Sequence, residues 1–342
     1  EIEQFLLKVS PEHSLRLPDG KMQLGLSVIG LDVTLKQLQI TGLSLKKAIR
    51  QSGRSVRLIP NKSLELNTAQ VLHNNLTGPT GWELYFIRDG QQTYVAQTVK
   101  IQDIEAYAAR DQARPKRDAR VGMLPPKLAQ IIINLAVGVL PADKLASICE
   151  IPAGESIPRP RLGQIVLDPF CGTGVLLQES LLMGYEAHGS DMEPRMIEYS
   201  QINLKWLAEK FKLPVGNFSL AQGDATIHNW KDFDFIAGET YLGRPFSALP
   251  ARDVLEKVVQ DVDTIHRKFL RNVATQTKPG FRMCIAVPAW KLKTGFKRLP
   301  TLDHLEELGY TRSVFVHTNN QDLVYHRPEQ IVGRELVVLT RV

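Results

Sequence analysis

Cysteine is scarce in this chain of 342 residues: Cys149, Cys171 and Cys284 lie far apart, with no Cys-x-x-Cys pair. That excludes a disulfide scaffold and a cysteine-rich zinc module, and it fits a reducing, cytoplasmic setting. Long apolar runs are missing too. The longest, Ile131 to Leu140, is interrupted by Asn134 and is too short to cross a bilayer, so no membrane partner is expected. His73, His188, His228, His266, His304, His317 and His326 show no paired ligand spacing, and no metal site is expected. No Ser/His/Asp arrangement is recognisable. What is present is an ordinary globular composition, 43% hydrophobic and 23% charged, too apolar for a disordered chain. Single cores stop growing beyond roughly 250–300 residues, so two domains are expected. The chain opens at Glu1 rather than at a methionine, which leaves a truncated N-terminus open.

The charge is unevenly distributed. Residues 1–130 hold 18 Lys+Arg against 12 Asp+Glu, and the remainder holds 24 of each, so the whole excess of +6 sits in the first part. Two clusters stand out: Arg54, Arg57 and Lys62, then Arg110, Arg114, Lys116, Arg117 and Arg120. Clustered cations are the footprint of a polyanion partner, because each neutralised phosphate releases counterions. A solvated loop reads the same way, and charge by itself favours it. The first hundred or so residues read as a small α/β module. Strands are expected over Lys21–Gly30, Ser55–Ile59, Trp82–Arg88 and Thr93–Val99, and helices over Leu35–Gln51 and Leu64–Leu76; Asp89-Gly90 marks a hairpin. The charged stretch Ala109–Val121, with Pro115 and no apolar period, reads as a linker.

From there strands and helices alternate, which predicts a parallel, doubly wound sheet. Thr311–His317 and Leu336–Thr340 read as a closing pair that adds an antiparallel strand. The most informative stretch is Val166-Leu167-Asp168-Pro169-Phe170-Cys171-Gly172-Thr173-Gly174, a strand ending in an acid followed by a glycine-rich turn that opens a helix. Such a turn lets a ligand approach backbone at the carboxyl end of a strand. A phosphate loop would need a lysine after Gly174, and a dinucleotide fingerprint a third glycine where Leu177 stands. An acid inside the loop also opposes a pyrophosphate. The remaining ligand carries an ammonium and a sulfonium, as S-adenosylmethionine does, with Asp168 near its amino acid end.

Asp-Pro-Phe-Cys-Gly-Thr-Gly resembles motif I of the class I amino-group methyltransferases. More narrowly, together with Arg114-Pro115-Lys116-Arg117 and Met123-Leu124-Pro125-Pro126-Lys127-Leu128-Ala129, it resembles the THUMP-containing family that makes N2-methylguanosine in tRNA, typically at position 10. The resemblance covers most of residues 105–342. It implies a seven-stranded, Rossmann-like methyltransferase domain over 123–342, a basic linker over 109–122 and a small α+β, THUMP-like RNA-binding domain over 1–108. It also implies S-adenosylmethionine as cofactor, held by Asp168, Phe170, Cys171, Gly172 and Gly174 of the loop, Asp191 and Met192 after the second strand, and Asp224 and Ala225 after the third. Asp191 is placed to accept from ribose hydroxyls, as acids do in other doubly wound nucleotide sites, and Asp224 would accept from the adenine amine. Any one Asp after a strand is more often a cap or turn residue; three at successive strand ends beside a glycine loop reverse those odds. The tRNA would be gripped through Arg54, Arg57, Lys62, Arg114, Lys116 and Arg117.

After the fourth strand the family carries Asp/Asn-Pro-Pro-Tyr/Phe, and this chain carries Glu239-Thr240-Tyr241-Leu242 before Gly243. The resemblance then implies catalytic roles for Glu239, Thr240 and Tyr241. An exocyclic amine is a poor nucleophile because its lone pair is delocalised into the ring, and acceptors around it hold the nitrogen pyramidal and in line. An aromatic stacks on the base, which must leave its helix. Glu239 is one methylene longer than the family residue, Tyr241 is shifted, and both prolines are gone. Three functions stay open: a tRNA guanine-N2 methyltransferase with a rebuilt loop, an amino-methyltransferase of DNA or ribosomal RNA, or a binding protein that keeps cofactor and RNA but not the chemistry. An accessory subunit is left open.

Overall fold

The computed structural model describes residues 2–118, 123–138, 163–214 and 216–342. Cys149 and Arg120, and the end of the apolar run beyond Gly138, lie outside the described residues. The chain divides into two compact units, Glu1–Ala106 and Tyr107–Val342.

In the first unit, helices α1 (Ile2–Leu15), α2 (Leu35–Gln51) and α3 (Thr68–His73) accompany strands β1 (Met22–Ile29), β2 (Val56–Leu58), β3 (Gly81–Asp89) and β4 (Gln92–Gln97). The sheet order is β2-β1-β3-β4, parallel except for the β3–β4 hairpin. That hairpin turns at Gly90, whose φ of 54° suits a residue without Cβ. Thr34 and Gln37 form a reciprocal capping box that starts α2 where the sequence places it. Leu24, Leu26, Leu45, Ile49 and Phe86 form the core. The helix expected over Leu64–Leu76 shrinks to six residues, because Asn67 and Gln70 cap it late. Helix α1 has no counterpart in the sequence pattern: Pro11 sits inside it and its apolar stripe is weak.

The boundary falls inside helix α4 (Ile104–Gln112). The stretch expected as a linker is instead packed into the second unit. Arg110 is buried and pairs with Glu179 at 2.8 Å, Gln130 donates to the same carboxylate, and Asn203 binds the Lys116 backbone through both N–H and carbonyl. Polar side chains do here what an apolar stripe would do elsewhere, which is why periodicity misses it.

Helices α5 (Pro126–Val137), α6 (Val175–Leu182), α7 (Pro194–Phe211) and α8 (Arg252–Gln276) flank strands β5 (Ile165–Asp168), β6 (Glu186–Asp191), β7 (Phe218–Gln222), β8 (Phe235–Glu239), β9 (Arg282–Lys291), β10 (Phe296–Lys297), β11 (Tyr310–Arg312), β12 (Val324–Tyr325) and β13 (Val332–Arg341). The main path of the sheet is β11-β13-β9-β8-β5-β6-β7; β10 pairs with β9 and β12 with β13. Strands β5 to β9 are mutually parallel along that path, and β13 runs antiparallel to both β9 and β11. The seven strands of this path follow the doubly wound order expected of a class I methyltransferase, and β10 and β12 bring the sheet to nine. Its order reverses at β5, between β6 and β8, so the carboxyl ends of these three strands open on one crevice. One face packs on α8 through Val262, Phe269 and Ile285, and the other on α5 and α6 through Ile132, Ile133 and Val338. The strand expected over Thr311–His317 stops at Arg312, with one further bond from the Ser313 N–H to the Val338 carbonyl of β13, and Val314 and Val316 are left exposed. No helix among the described residues is long and apolar enough to cross a membrane.

Candidate active site

The glycine loop is a backbone construction. Cys171 donates its N–H to the Ser190 carbonyl and Gly174 to the Cys171 carbonyl, so the turn is pinned to the end of β6. Gly172 and Gly174 have φ of 51° and 82°, and a Cβ on Gly174 would stand 2.9 Å from the Ser200 hydroxyl. Larger residues are excluded on both counts. Ser200 donates to the Gly172 carbonyl at 2.8 Å, and Asn203 to the Thr173 carbonyl at 2.8 Å. Asn203 therefore ties the loop to Lys116 as well.

Three carboxyl groups end three adjacent strands. Asp168 ends β5 and is buried; its Oδ1 accepts from the Phe170 N–H at 3.1 Å. Burial pushes its carboxyl well above the usual carboxylate range; the Phe170 N–H opposes this, and Asp191 and Glu239 reinforce it. Asp191 ends β6, accepting from Gly172 through Oδ2 and from Glu193 through Oδ1, each at 3.0 Å. Burial raises it and these amides oppose the rise. Glu239 ends β8, and Arg334 of β13 donates from Nε to its Oε1 at 2.5 Å. Burial raises Glu239, and Arg334 draws it back. Gly238 explains how β8 comes so close: a Cβ there would lie 2.8 Å from Asp168 Oδ1. Among the described residues, Asp168 and Asp191 are met by backbone N–H donors and by no cation. This acid-lined crevice fits a ligand that brings positive charge, as the ammonium and sulfonium of S-adenosylmethionine do, and disfavours a pyrophosphate.

The sequence-derived residues divide on inspection. Asp168, Gly172, Gly174, Asp191 and Glu239 converge at the crevice. Met192, 63% exposed, follows Asp191 and is free to cover a ligand. Asp224 is exposed and caps its own turn, accepting from the Thr226 N–H at 2.9 Å, while buried Ala225 offers its carbonyl to Asn272.

Several expected contacts are corrected. The Phe170 ring packs edge-on to Phe269, with centroids 5.1 Å apart, and belongs to the core. Cys171 is buried among Leu177, Ala187 and Leu204, and contributes backbone rather than its thiol, which burial pushes well up. Thr240 is buried, its hydroxyl bound to His266 Nε2 at 2.6 Å and to the Ala286 carbonyl at 3.0 Å, so its side chain anchors the loop. His266 is itself buried, and its pKa is lowered to about 4 by desolvation. Tyr241 is half-exposed and borders a shallow cavity of about 370 Å³ with Arg244, Lys257 and Val262 against α8.

Of the RNA-facing set, Arg57, Lys62 and Arg117 are exposed and Lys116 is half-buried, its ammonium over the Tyr199 ring. Arg54 and Arg114 are buried rather than displayed at the surface. Arg54 spends its guanidinium on the Leu17 and Pro18 carbonyls. Arg334, which the sequence pattern did not single out, carried one signal: Arg334-Glu335 interrupts an apolar strand. The two point to opposite faces, and Glu335 pairs with Arg312 and Arg298. No group of three or more His, Cys, Asp or Glu among the described residues is arranged to hold a metal.

Residues 162–325 match the family model described as a methyltransferase domain. The chain is 29% identical over 181 residues to a tRNA (guanine(10)-N2)-dimethyltransferase of Methanothermobacter thermautotrophicus, covering 52% of this chain and 43% of that protein. A protein of the same name from Pyrococcus abyssi is 25% identical over 169 residues, covering 48% of this chain and 39% of its own length. The matched segments thus span less than half the length of these curated relatives. Among solved structures, TrmN from Thermus thermophilus aligns over 99% of this chain and 80% of its own, at 15% identity and a TM-score of 0.49.

Proposed function

We propose that this chain, whose residues 162–325 match a methyltransferase-domain model, transfers a methyl group from S-adenosylmethionine to an exocyclic amine of a base in RNA, with guanine N2 of tRNA as the favoured target. The observation that carries the reading is the meeting of Asp168, Asp191 and Glu239 at the point where the strand order reverses. When bound, the cofactor supplies an electrophilic methyl on a sulfonium. Asp168 and the Gly172–Gly174 turn would hold its amino acid end, and Asp191, oriented by two backbone amides, would take the ribose. Glu239 Oε2 would accept a hydrogen bond from the base amine, hold its nitrogen pyramidal and keep its lone pair out of the ring. Tyr241, on the same loop, is the aromatic available to stack on an extruded base.

The tRNA reading is supported by the two relatives named for that activity and by the exposed Arg57, Lys62 and Arg117. In this reading the first unit is a THUMP-like module, and its phosphate contacts position the substrate without specifying it. Labelled cofactor incubated with tRNA, ribosomal RNA and DNA in competition tests the proposal. Incorporation into tRNA, recovered as N2-methylguanosine on nucleoside mass spectrometry, supports it. Cofactor binding with no incorporation into any of the three would leave a binding protein.

A further inference from the structure

Glu239 and Arg334 do not lie on neighbouring strands. Glu239 pairs in register with Ala286 of β9, and β9 in turn places Pro288 opposite Arg334 of β13. The two side chains therefore meet across β9, spanning two interstrand spacings of about 4.8 Å each. Such a reach asks for long side chains at both ends, and Glu239 is one methylene longer than the acid the related loops carry. Arg334 is 4% exposed. A buried guanidinium without a partner costs several kcal/mol, so the pair is held as a unit. Arg334 occupies Oε1, and no hydrogen bond from the described residues occupies Oε2. Next to Glu239, Thr240 is fixed by His266 and the Ala286 carbonyl, so the backbone that carries the carboxylate is also anchored.

We propose that Arg334 is a positioning residue for Glu239, fixing the carboxylate through Oε1 so that Oε2 faces the crevice as the acceptor for the substrate amine. This rests on the role of Glu239 proposed above. The charged and titratable groups around Glu239 are Asp168 on β5 and Arg334 on β13, with neutral His266 on α8 reaching the adjoining Thr240. Removing Arg334 leaves burial, which favours the protonated acid, and that form has lost acceptor capacity.

The test uses the full chain as wild type, Arg334→Gln and Arg334→Lys, with the Glu239 carboxyl carbon followed by NMR against pH and methyl transfer to tRNA followed across the same range. Arg334→Gln is expected to raise the pH at which Glu239 titrates and to move the acidic limb of kcat with it. It should lower kcat by roughly 10–100-fold, the scale of a misplaced catalytic contact, while KM for tRNA stays within about threefold. Arg334→Lys keeps the charge and loses the fork geometry. It is expected to keep the acidic limb near that of wild type and to restore kcat only in part, and it serves where the glutamine variant fails to fold. An unchanged Glu239 titration in folded Arg334→Gln, or a variant as active as wild type or more so, overturns the proposal; higher activity would mean that Arg334 blocks the acid. If wild type transfers no methyl to any RNA, the functional reading fails, and the carboxyl titration still decides whether Arg334 holds Glu239.

Discussion

The loop after β5 and the loop after β8 border the same crevice and are held in different ways. The first is held mainly by backbone: the Cys171 and Gly174 amides close the turn and Gly172 donates to Asp191, with Ser200 and Asn203 of α7 adding side-chain donors to the Gly172 and Thr173 carbonyls. The second is fixed by side chains from far along the sequence, His266 on α8 for Thr240 and Arg334 on β13 for Glu239. A backbone-held loop tolerates few substitutions, because glycine conformations and amide positions are not interchangeable. A side-chain-held loop can change composition when distant partners change with it.

Four substitutions or conditions break or sharpen this contrast. The largest effect is expected from Glu239→Ala, which should cut methyl transfer by roughly 10²–10³-fold, the scale of a lost transition-state acceptor. Calorimetry should find cofactor affinity within a few-fold of wild type, and a comparable loss of binding would assign Glu239 to the cofactor instead. Asp191→Ala removes the acceptor of the Gly172 and Glu193 amides together with the proposed ribose contact. Hydrogen bonds to a charged group are worth about 1.5–3 kcal/mol, so cofactor affinity should fall roughly 10–100-fold; calorimetry showing no change removes Asp191 from the site.

Gly238→Ala probes the seam between the two loops. Its methyl would meet Asp168 Oδ1 at 2.8 Å, and the buried carboxyl has little room to yield. Denaturant titration should show a loss of about 1–3 kcal/mol, the usual cost of overpacking, with weaker cofactor binding. Equal stability would mean that Asp168 moves freely.

The smallest net effect is expected from pH. His266 holds its proton less firmly folded than unfolded, with a pKa lowered from 6.5 to about 4. Its contribution is therefore present above pH 6.5 and is lost as pH falls toward 4, by about 2 kcal/mol at pH 5 for a fully buried group. Asp168, Asp191 and Glu239 act oppositely: each is raised in the folded state, so protonating them on acidification stabilises the fold. Thermal melts at pH 7 and pH 5 should show wild type losing more stability than His266→Asn; equal losses would mean that His266 does not carry the effect.

Local chemistry made much of the molecule legible before any coordinates. The helix over Leu35–Gln51, the hairpin at Gly90, the alternation of strands and helices and the acid-glycine turn at 168–174 all depend on residues close together in the chain. Packing was harder to read. Phe170 and Cys171 stand in the motif, yet the core takes their side chains. Arg54 and Arg114 look like phosphate ligands in a list of charges but are buried. Composition reports charge and not depth.

The sequence alone determined that one strand ends in an acid and a glycine turn, because φ preferences and spacing are properties of neighbours. It determined the alternating elements for the same reason. Only the tertiary structure decided that Gly238 lets β8 come close to Asp168, that Arg334 reaches Glu239 over an intervening strand, and that His266 locks Thr240. Those contacts join residues 26 to 95 positions apart, and they depend on strand order and register, which no local pattern encodes.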